Sequence, residues 1–252
     1  MLEKVRRAAE IYQADGLIPL LRASLKFVLR QIRPITPSIK TEYNGVTVER
    51  HHLADCLDPD KNIRDRPTYE GTIISEAVGL ISQGDTVVIL GGGLGVVTVH
   101  AARESGPEGD IFVYEGAKEM LSLHSRTLAL NPVTASVTVT HAIVGSPDNL
   151  WGSPEGATVI EPEDLPMPDV CIVDIEGEEI DVVPSLPDAK TMIVETHGVF
   201  ESPTDSIIEI LRDRGYEVHD AGVAEPEMAR QHAKDDVKVV IATKKERPNN
   251  IQ

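Results

Sequence analysis

Aromatic side chains are scarce in this sequence. Phe, Tyr and Trp make up 4% of its 252 residues, with a single Trp. Large rings cannot fill the interior, so Val, Ile, Leu and Ala must, and 41% of the residues are hydrophobic. Cysteine is nearly absent as well. Cys56 and Cys171 are the only two and stand at no metal-ligand spacing. They exclude a disulfide framework and a cysteine zinc site, and a reduced, cytoplasmic setting is expected. Cys171 lies in the apolar run VCIVD and reads as a small buried residue. No apolar run is long enough to span a bilayer. The stretch MLEKVRRAAEIYQAD lacks the apolar segment of a signal peptide.

Bases are also in short supply, 24 Lys and Arg against 41 Asp and Glu, for a net charge of −17. Such a chain repels phosphate polyanions, so nucleic acid is not expected as a partner. A strongly acidic surface stays hydrated in concentrated salt, and a halophile-like, salt-rich cytoplasm is one expectation. The bases are concentrated early. Residues 1–40 hold Lys4, Arg6, Arg7, Arg22, Lys26, Arg30, Arg33 and Lys40 against Glu3, Glu10 and Asp15.

That arm reads as two helices separated at Asp15-Gly16. In the second, Leu21, Leu25, Val28 and Ile32 recur at helical spacing and Arg22, Lys26, Arg30 and Arg33 line another face. Pro19 suits a first turn, and Pro34 and Pro37 end the helix. Residues 17–33 can lie on an anionic membrane surface, or pack their apolar face on the domain or a second subunit in a homo-oligomer. Two regions follow from this reading: an amphipathic helical arm, 1–40, and a main domain, 41–252.

Residues 44–50, NGVTVER, alternate as a short strand. Residues 51–68 are polar and irregular, and His51-His52, without partners at ligand spacing, reads as a solvated loop. YEGTIISEAVGLIS reads as a helix. Then strands and helices alternate: TVVIL, a glycine turn and a helix to about Ser105; DIFVYE and the helix AKEMLSLHSRTLALN; SVTVTHAIV; a Pro- and acid-rich loop over 145–168; DVCIVD and the short helix EEIDVV; KTMIVE and the helix PTDSIIEILRDRG. YEVHDAG and DVKVVIATKK are the closing strands. This pattern means an α/β, doubly wound, Rossmann-like and mostly parallel sheet with helices on both faces. The segment between the last two strands is too short for a comfortable crossover, which suits an antiparallel final strand.

In such a sheet, ligands bind outside the carboxyl ends of the strands. The first strand ends at Gly91, and three others end in acids: Glu115, Asp174 and Glu195. A carboxylate just past an apolar run is costly to bury without a partner, so three on one rim beside a glycine turn favour a ligand site. Gly91 and Gly93 let the backbone turn, Gly95 lets the helix approach the sheet, and Gly92 completes the small-residue run. Glu115, about twenty residues on, can accept hydrogen bonds from ribose hydroxyls. The pair fits a dinucleotide or S-adenosylmethionine. The G-x-G-x-x-G fingerprint of dinucleotide sites fails at Val96 when counted from Gly91, and at Thr98 when counted from Gly93; G-x-G-x-G is present instead.

These residues resemble the FkbM-type methyltransferases, which depend on S-adenosylmethionine. CIVDIEGEEIDVV is similar to that family's Asp-x-Glu-Gly-x-Glu signature. ILGGGLGVVTVHAA stands where the family has Asp-x-Gly-Ala-Asn-x-Gly, VYEG where it has F-E-P, LALN at its helix-closing Asn and IVETHG at its Glu-x-His strand. The resemblance runs over about residues 65–220. It departs at Ile89, Gly93 and Gly116, which replace the family's acid, Asn and Pro. The resemblance implies the seven-stranded class I methyltransferase fold with a reversed last strand. It also implies transfer of a methyl group to a hydroxyl of a sugar, glycan or related small molecule. Glu70, in YEG, sits where the family carries Glu. With Gly116 and Ala142 it joins the glycine turn and Glu115 as expected cofactor contacts.

Asp174 is the first candidate for the catalytic carboxylate and His197 the second candidate base, its ordinary pKa lying near neutrality. Glu176 and Glu195 are expected to position substrate. Asp174, Glu176, Glu195 and His197 together also carry hard oxygens and an imidazole, the donors of a Mg²⁺ or Mn²⁺ site, but their spacing is not a metal motif and no metal is expected. Glu178 and Glu179 read as acids favoured by the helix dipole at the start of EEIDVV. Two other readings remain open at this point: a NAD(P)-dependent oxidoreductase, and a catalytically weak binding protein on the same fold.

Overall fold

The computed structural model describes residues 17–58, 61, 63–146 and 152–244. The first expected helix of the arm lies outside the described residues. The chain divides into two compact units, one from the described parts of 1–41 and 49–65, the other from 42–48 and 66–244. The stretch 49–65 thus groups with the arm.

The first unit contains helix α1 (Leu17–Ile32) and most of a hairpin, β1 (Ser38–Tyr43) with β2 (Val46–His52). The β1 strand is an addition to the sequence reading. His51-His52 is not a solvated loop: both residues are in β2, where His51 is buried, and His52 Nδ1 lies 3.0 Å from the Thr36 carbonyl. Asp55 accepts the His52 N–H and pairs with Arg33 at 3.2 Å, which anchors the strand end.

The second unit is the α/β domain. Its order is α2 (Gly71–Leu80), β3 (Thr86–Leu90), α3 (Val96–Ser105), β4 (Asp110–Glu115), α4 (Lys118–Leu130), β5 (Ser136–Val144), β6 (Thr158–Ile160), β7 (Val170–Val173), α5 (Glu179–Val182), β8 (Thr191–His197), α6 (Thr204–Asp213), β9 (Tyr216–Val223), α7 (Ala229–Asp235) and β10 (Val237–Lys244). Among the described residues the sheet has eight strands, in the order β6-β5-β4-β3-β7-β8-β10-β9. All neighbours are parallel except β10, which is antiparallel to β8 and to β9. Without β6 this is the expected seven-stranded arrangement with its reversed last strand. The eighth strand, β6, is three residues within the Pro- and acid-rich loop over 145–168, and it pairs with the end of β5 at Ala142–Val144.

The central strands are apolar on both faces because both faces are covered. Val87 and Ile89 of β3, Val170 and Ile172 of β7 and Ile193 of β8 enter one core, with Ile73, Ile74 and Ala77 of α2 and Val96, Val99 and Ala102 of α3. Val88, Leu90, Cys171, Val173, Met192 and Val194 enter the other, with Ile207 and Leu211 of α6. Cys171 is the buried small residue that its apolar run suggested. Ile89 is 1% exposed. The residue that replaces an acid in the glycine-turn motif is therefore a core residue here.

Asn131 fixes the end of α4. Its Nδ2 donates to the carbonyls of Thr127 (2.8 Å) and Thr47 (2.7 Å), and its Oδ1 accepts the Thr47 N–H (3.0 Å). One amide thus closes the helix and ties it to residue 47 of the hairpin.

Candidate functional site

Parallel strands put their carboxyl ends on one edge. There the structure brings together the glycine turn after β3, Glu115 at the end of β4, Asp174 just past β7, and Glu195 and His197 at the end of β8. Turn and cluster touch. A methyl group at Gly91 would lie 1.8 Å from the Asp174 carbonyl oxygen, and Gly91 has φ +83°, so glycine is required there twice over. Gly92 is equally crowded, against Val113 at 2.6 Å and His124 at 3.0 Å. Gly95, at the start of α3, faces the His124 ring at 3.1 Å, so its missing side chain admits α4 rather than the sheet. Gly93 is different. With φ +48° and nothing within 4 Å of where a Cβ would stand, it borders open space.

Glu115 holds this turn. Its Oε2 accepts the Gly93 N–H at 2.7 Å and its Oε1 the Ala117 N–H at 2.6 Å. Each oxygen keeps a second lone pair, so ribose hydroxyls can still be accepted. Burial pushes the Glu115 pKa up, against these backbone hydrogen bonds. His124 lies wholly buried beneath the turn, and burial lowers its pKa to about 4, so it is a neutral ring at neutral pH. Nothing in the sequence marked it. Gly116 is buried, and its carbonyl lies 3.1 Å from His141 Nε2. Ala142 is buried in β5, opposite Thr158.

The cluster centres on His197, which is 5% exposed. Its Nδ1 lies 2.8 Å from Glu179 Oε1. Its Nε2 lies 3.6 Å from Glu195 Oε1, 3.7 Å from Asp174 Oδ1 and 4.0 Å from Glu176 Oε2. Burial alone would lower its pKa, but the Glu179 hydrogen bond and the charges of Asp174, Glu179 and Glu176 outweigh it and raise the value to about 9. Burial raises Asp174 to about 7; His197 pulls it down and Glu176, Glu179 and Glu115 push it up. Glu195 is 8% exposed and is pushed well up by burial and then by Asp174 and Glu70. Glu70 is raised to about 8, by burial first and by Asp174 second. Glu70 and Glu176 both adopt left-handed backbone, φ +47° and +57°, a conformation that non-glycine residues hold at some cost.

Glu179 is the functional residue the sequence reading missed. It opens α5, as its place in EEIDVV implied, but it is fully buried. Its Oε1 also accepts the Gly177 N–H at 3.1 Å, so it folds the DIEGEE turn back and orients the imidazole. Its pKa is lowered: the hydrogen bond and charge of His197 outweigh burial. A signal was available. Glu179 shares helical spacing with Val182 and Val183, both buried, so it stands on the inward face of EEIDVV.

No family model matches this chain, and no curated protein does. Solved structures are similar in fold. The precorrin-6y C5,15-methyltransferase of Geobacter metallireducens is 22% identical, with a TM-score of 0.49, over 71% of this chain and 90% of that one. A SAM-dependent O-methyltransferase of Thermotoga maritima is 17% identical, TM-score 0.48, over 81% and 75%. M. jannaschii TYW2, solved in complex with AdoMet, is 14% identical, TM-score 0.45, over 82% and 85%. The strand order and the strand-end residues, not these likenesses, carry the functional reading.

Proposed function

We propose that this chain is an S-adenosylmethionine-dependent methyltransferase that methylates a hydroxyl of a sugar, glycan or related small molecule. One observation carries the reading: a glycine turn pinned by Glu115 abuts, at Gly91, a cluster of buried acids at the same sheet edge. The residues present fit the cofactor. Gly93 borders open space, Glu115 keeps acceptor capacity for ribose, and the surplus of carboxylates at Asp174, Glu195 and Glu70 suits a cationic ligand. Gly91 to Gly95, Glu115 and Gly116 would hold it, with Glu70 and Ala142 at the margins. Bound there, it would supply a methyl group made electrophilic by a sulfonium.

The chain's own residues would bind, orient and deprotonate the acceptor. Glu176 and Glu195 would position it. Asp174 would take the hydroxyl proton on a carboxylate oxygen as the hydroxyl attacks, since its pKa near 7 matches that task. His197, held protonated by Glu179, Asp174 and Glu176, would keep the carboxylates in place. Isothermal titration with S-adenosylhomocysteine and with NADH tests the reading. S-adenosylhomocysteine should bind and NADH should not. Binding of NADH alone would make the chain a dinucleotide enzyme, and binding of neither a scaffold on this fold.

We further propose that α1 contacts anionic lipid from a reduced, cytoplasmic side. Leu17, Ile18, Leu21, Leu25 and Val28 are exposed beside Arg22 and Lys26, a composition that suits an interfacial helix. Among the described residues no helix is long and apolar enough to cross a membrane. Flotation of the chain on anionic liposomes should fall when residues 1–40 are removed; equal flotation would return α1 to packing on the domain or on a second subunit. The net charge of −17 is read as a surface suited to concentrated salt.

A further inference from the structure

We propose that Asp174, Glu195 and His197 form a site for one divalent cation of the Mn²⁺–Zn²⁺ class. One oxygen of each carboxylate and the imidazole nitrogen lie within 4.8 Å of one another. Nε2 is 3.7 Å from Asp174 Oδ1 and 3.6 Å from Glu195 Oε1. Donors around such an ion sit about 3.0 to 3.4 Å apart, so the imidazole has to shift by a few tenths of an ångström and the two carboxylate oxygens, up to 4.8 Å apart, have to close by up to about 1.5 Å between them. Two carboxylates with an imidazole suit this class better than Ca²⁺, which prefers an all-oxygen shell.

Two features go beyond a group of acids. The first is the orientation of the ring. Fully buried Glu179 binds Nδ1 at 2.8 Å and thereby aims Nε2 at the other two donors. A buried carboxylate on the far nitrogen is how metal-binding imidazoles are held. The second is Glu195. It is more than nine-tenths buried and points into the cluster, yet no donor among the described residues hydrogen-bonds its carboxylate; its contact there is the imidazole at 3.6 Å. A buried carboxyl with no hydrogen-bond donor on it has lone pairs that a cation can take up. A divalent ion and the proton on Nε2 would occupy the same place. Each carboxylate gives one oxygen, so the second oxygen of Asp174 remains for an acceptor, and water would fill the other positions on the ion.

This site shares Asp174, Glu195 and His197 with the proposed methyl-transfer machinery, but it rests on their donor geometry and not on that reading. The test is Mn²⁺ binding to the full chain, stripped with chelator and desalted, followed by electron paramagnetic resonance of free Mn²⁺ and by thermal melts. The chain should take up one Mn²⁺, displaced by Zn²⁺, with a rise in Tm. Glu195→Gln should weaken uptake at least about tenfold and abolish the rise in Tm. Without metal the same variant should melt no lower than the parent, since an isosteric amide relieves repulsion, and this controls for folding. Glu176→Gln, whose oxygen is 4.0 Å from Nε2, should change uptake less than about threefold. Failure of the folded parent chain to take up Mn²⁺ or Zn²⁺, or uptake that Glu195→Gln retains, would overturn the site. Mn²⁺ uptake without S-adenosylhomocysteine binding would overturn the methyltransferase reading alone, and the reverse result the metal site alone.

Discussion

His197 owes its charge to its neighbours. An isolated histidine titrates near 6.5, which made this one a candidate base from sequence. In place, Glu179, Asp174 and Glu176 hold the ring protonated to about pH 9. Asp174, raised to about 7 mainly by burial, then changes state near neutrality, below Glu70 at about 8. If Asp174 is the base, kcat/KM for methyl transfer should climb as pH passes about 7 and level off before 9. A climb centred on about 9 would give the role to His197. Asp174→Asn should lower kcat by about a hundredfold at neutral pH. At this scale the sequence was legible where a residue's role follows from strand position. Asp174 follows β7 directly and Glu195 lies two residues inside the end of β8, and period and topology place both on one edge. Glu179 was less legible, because two features of its helix compete: the first turn favours an acid at the surface, whereas spacing with Val182 points it inward. His124 was not legible, since its contact with the glycine turn crosses between helices.

Elements repeat the same lesson at larger scale. Strands β3, β7 and β8 are apolar on both faces, and the runs TVVIL, VCIV and MIVE mark all three, although β8 continues two residues past its run to His197. Strand β6 could not be read this way. It is three residues long, and it exists because the end of β5 offers an unpaired edge. Strand β1 likewise depends on its hairpin partner. Asn131 read from sequence as a helix stop, and the structure adds the clamp on Thr47. That clamp predicts a measurable loss. Asn131→Ala removes three hydrogen bonds and leaves both backbone groups of Thr47 without it, so urea denaturation should show a loss of about 2 kcal/mol. A change below about 0.5 kcal/mol would mean that water replaces the clamp.

For the whole molecule, charge is the dominant quantity. With 41 acids against 24 bases, the folded chain repels itself, and the strand-end cluster concentrates that repulsion. The sign of the pH dependence follows. Glu70 and Asp174 titrate higher folded than unfolded, at about 8 and about 7, so the folded state holds protons that the unfolded chain gives up above about 4.5. His197 is also raised, so its contribution is complete below about 6.5 and is lost as pH passes about 9. All three shifts lower stability as pH rises. Tm should therefore fall between pH 7 and 9 in low salt, and should be higher throughout in molar KCl, which screens the repulsion. A lower Tm in KCl would remove the salt-rich reading of the surface.

The proposed adenosyl pocket is made by the glycine turn and Glu115, beside the acid cluster. Titration of the parent chain and of Glu115→Ala with S-adenosylhomocysteine tests it most directly. The parent chain should give a binding isotherm, and the variant, which loses both the ribose acceptor and the tie to Gly93, should bind at least about tenfold more weakly. Equal affinity in the two proteins would contradict it.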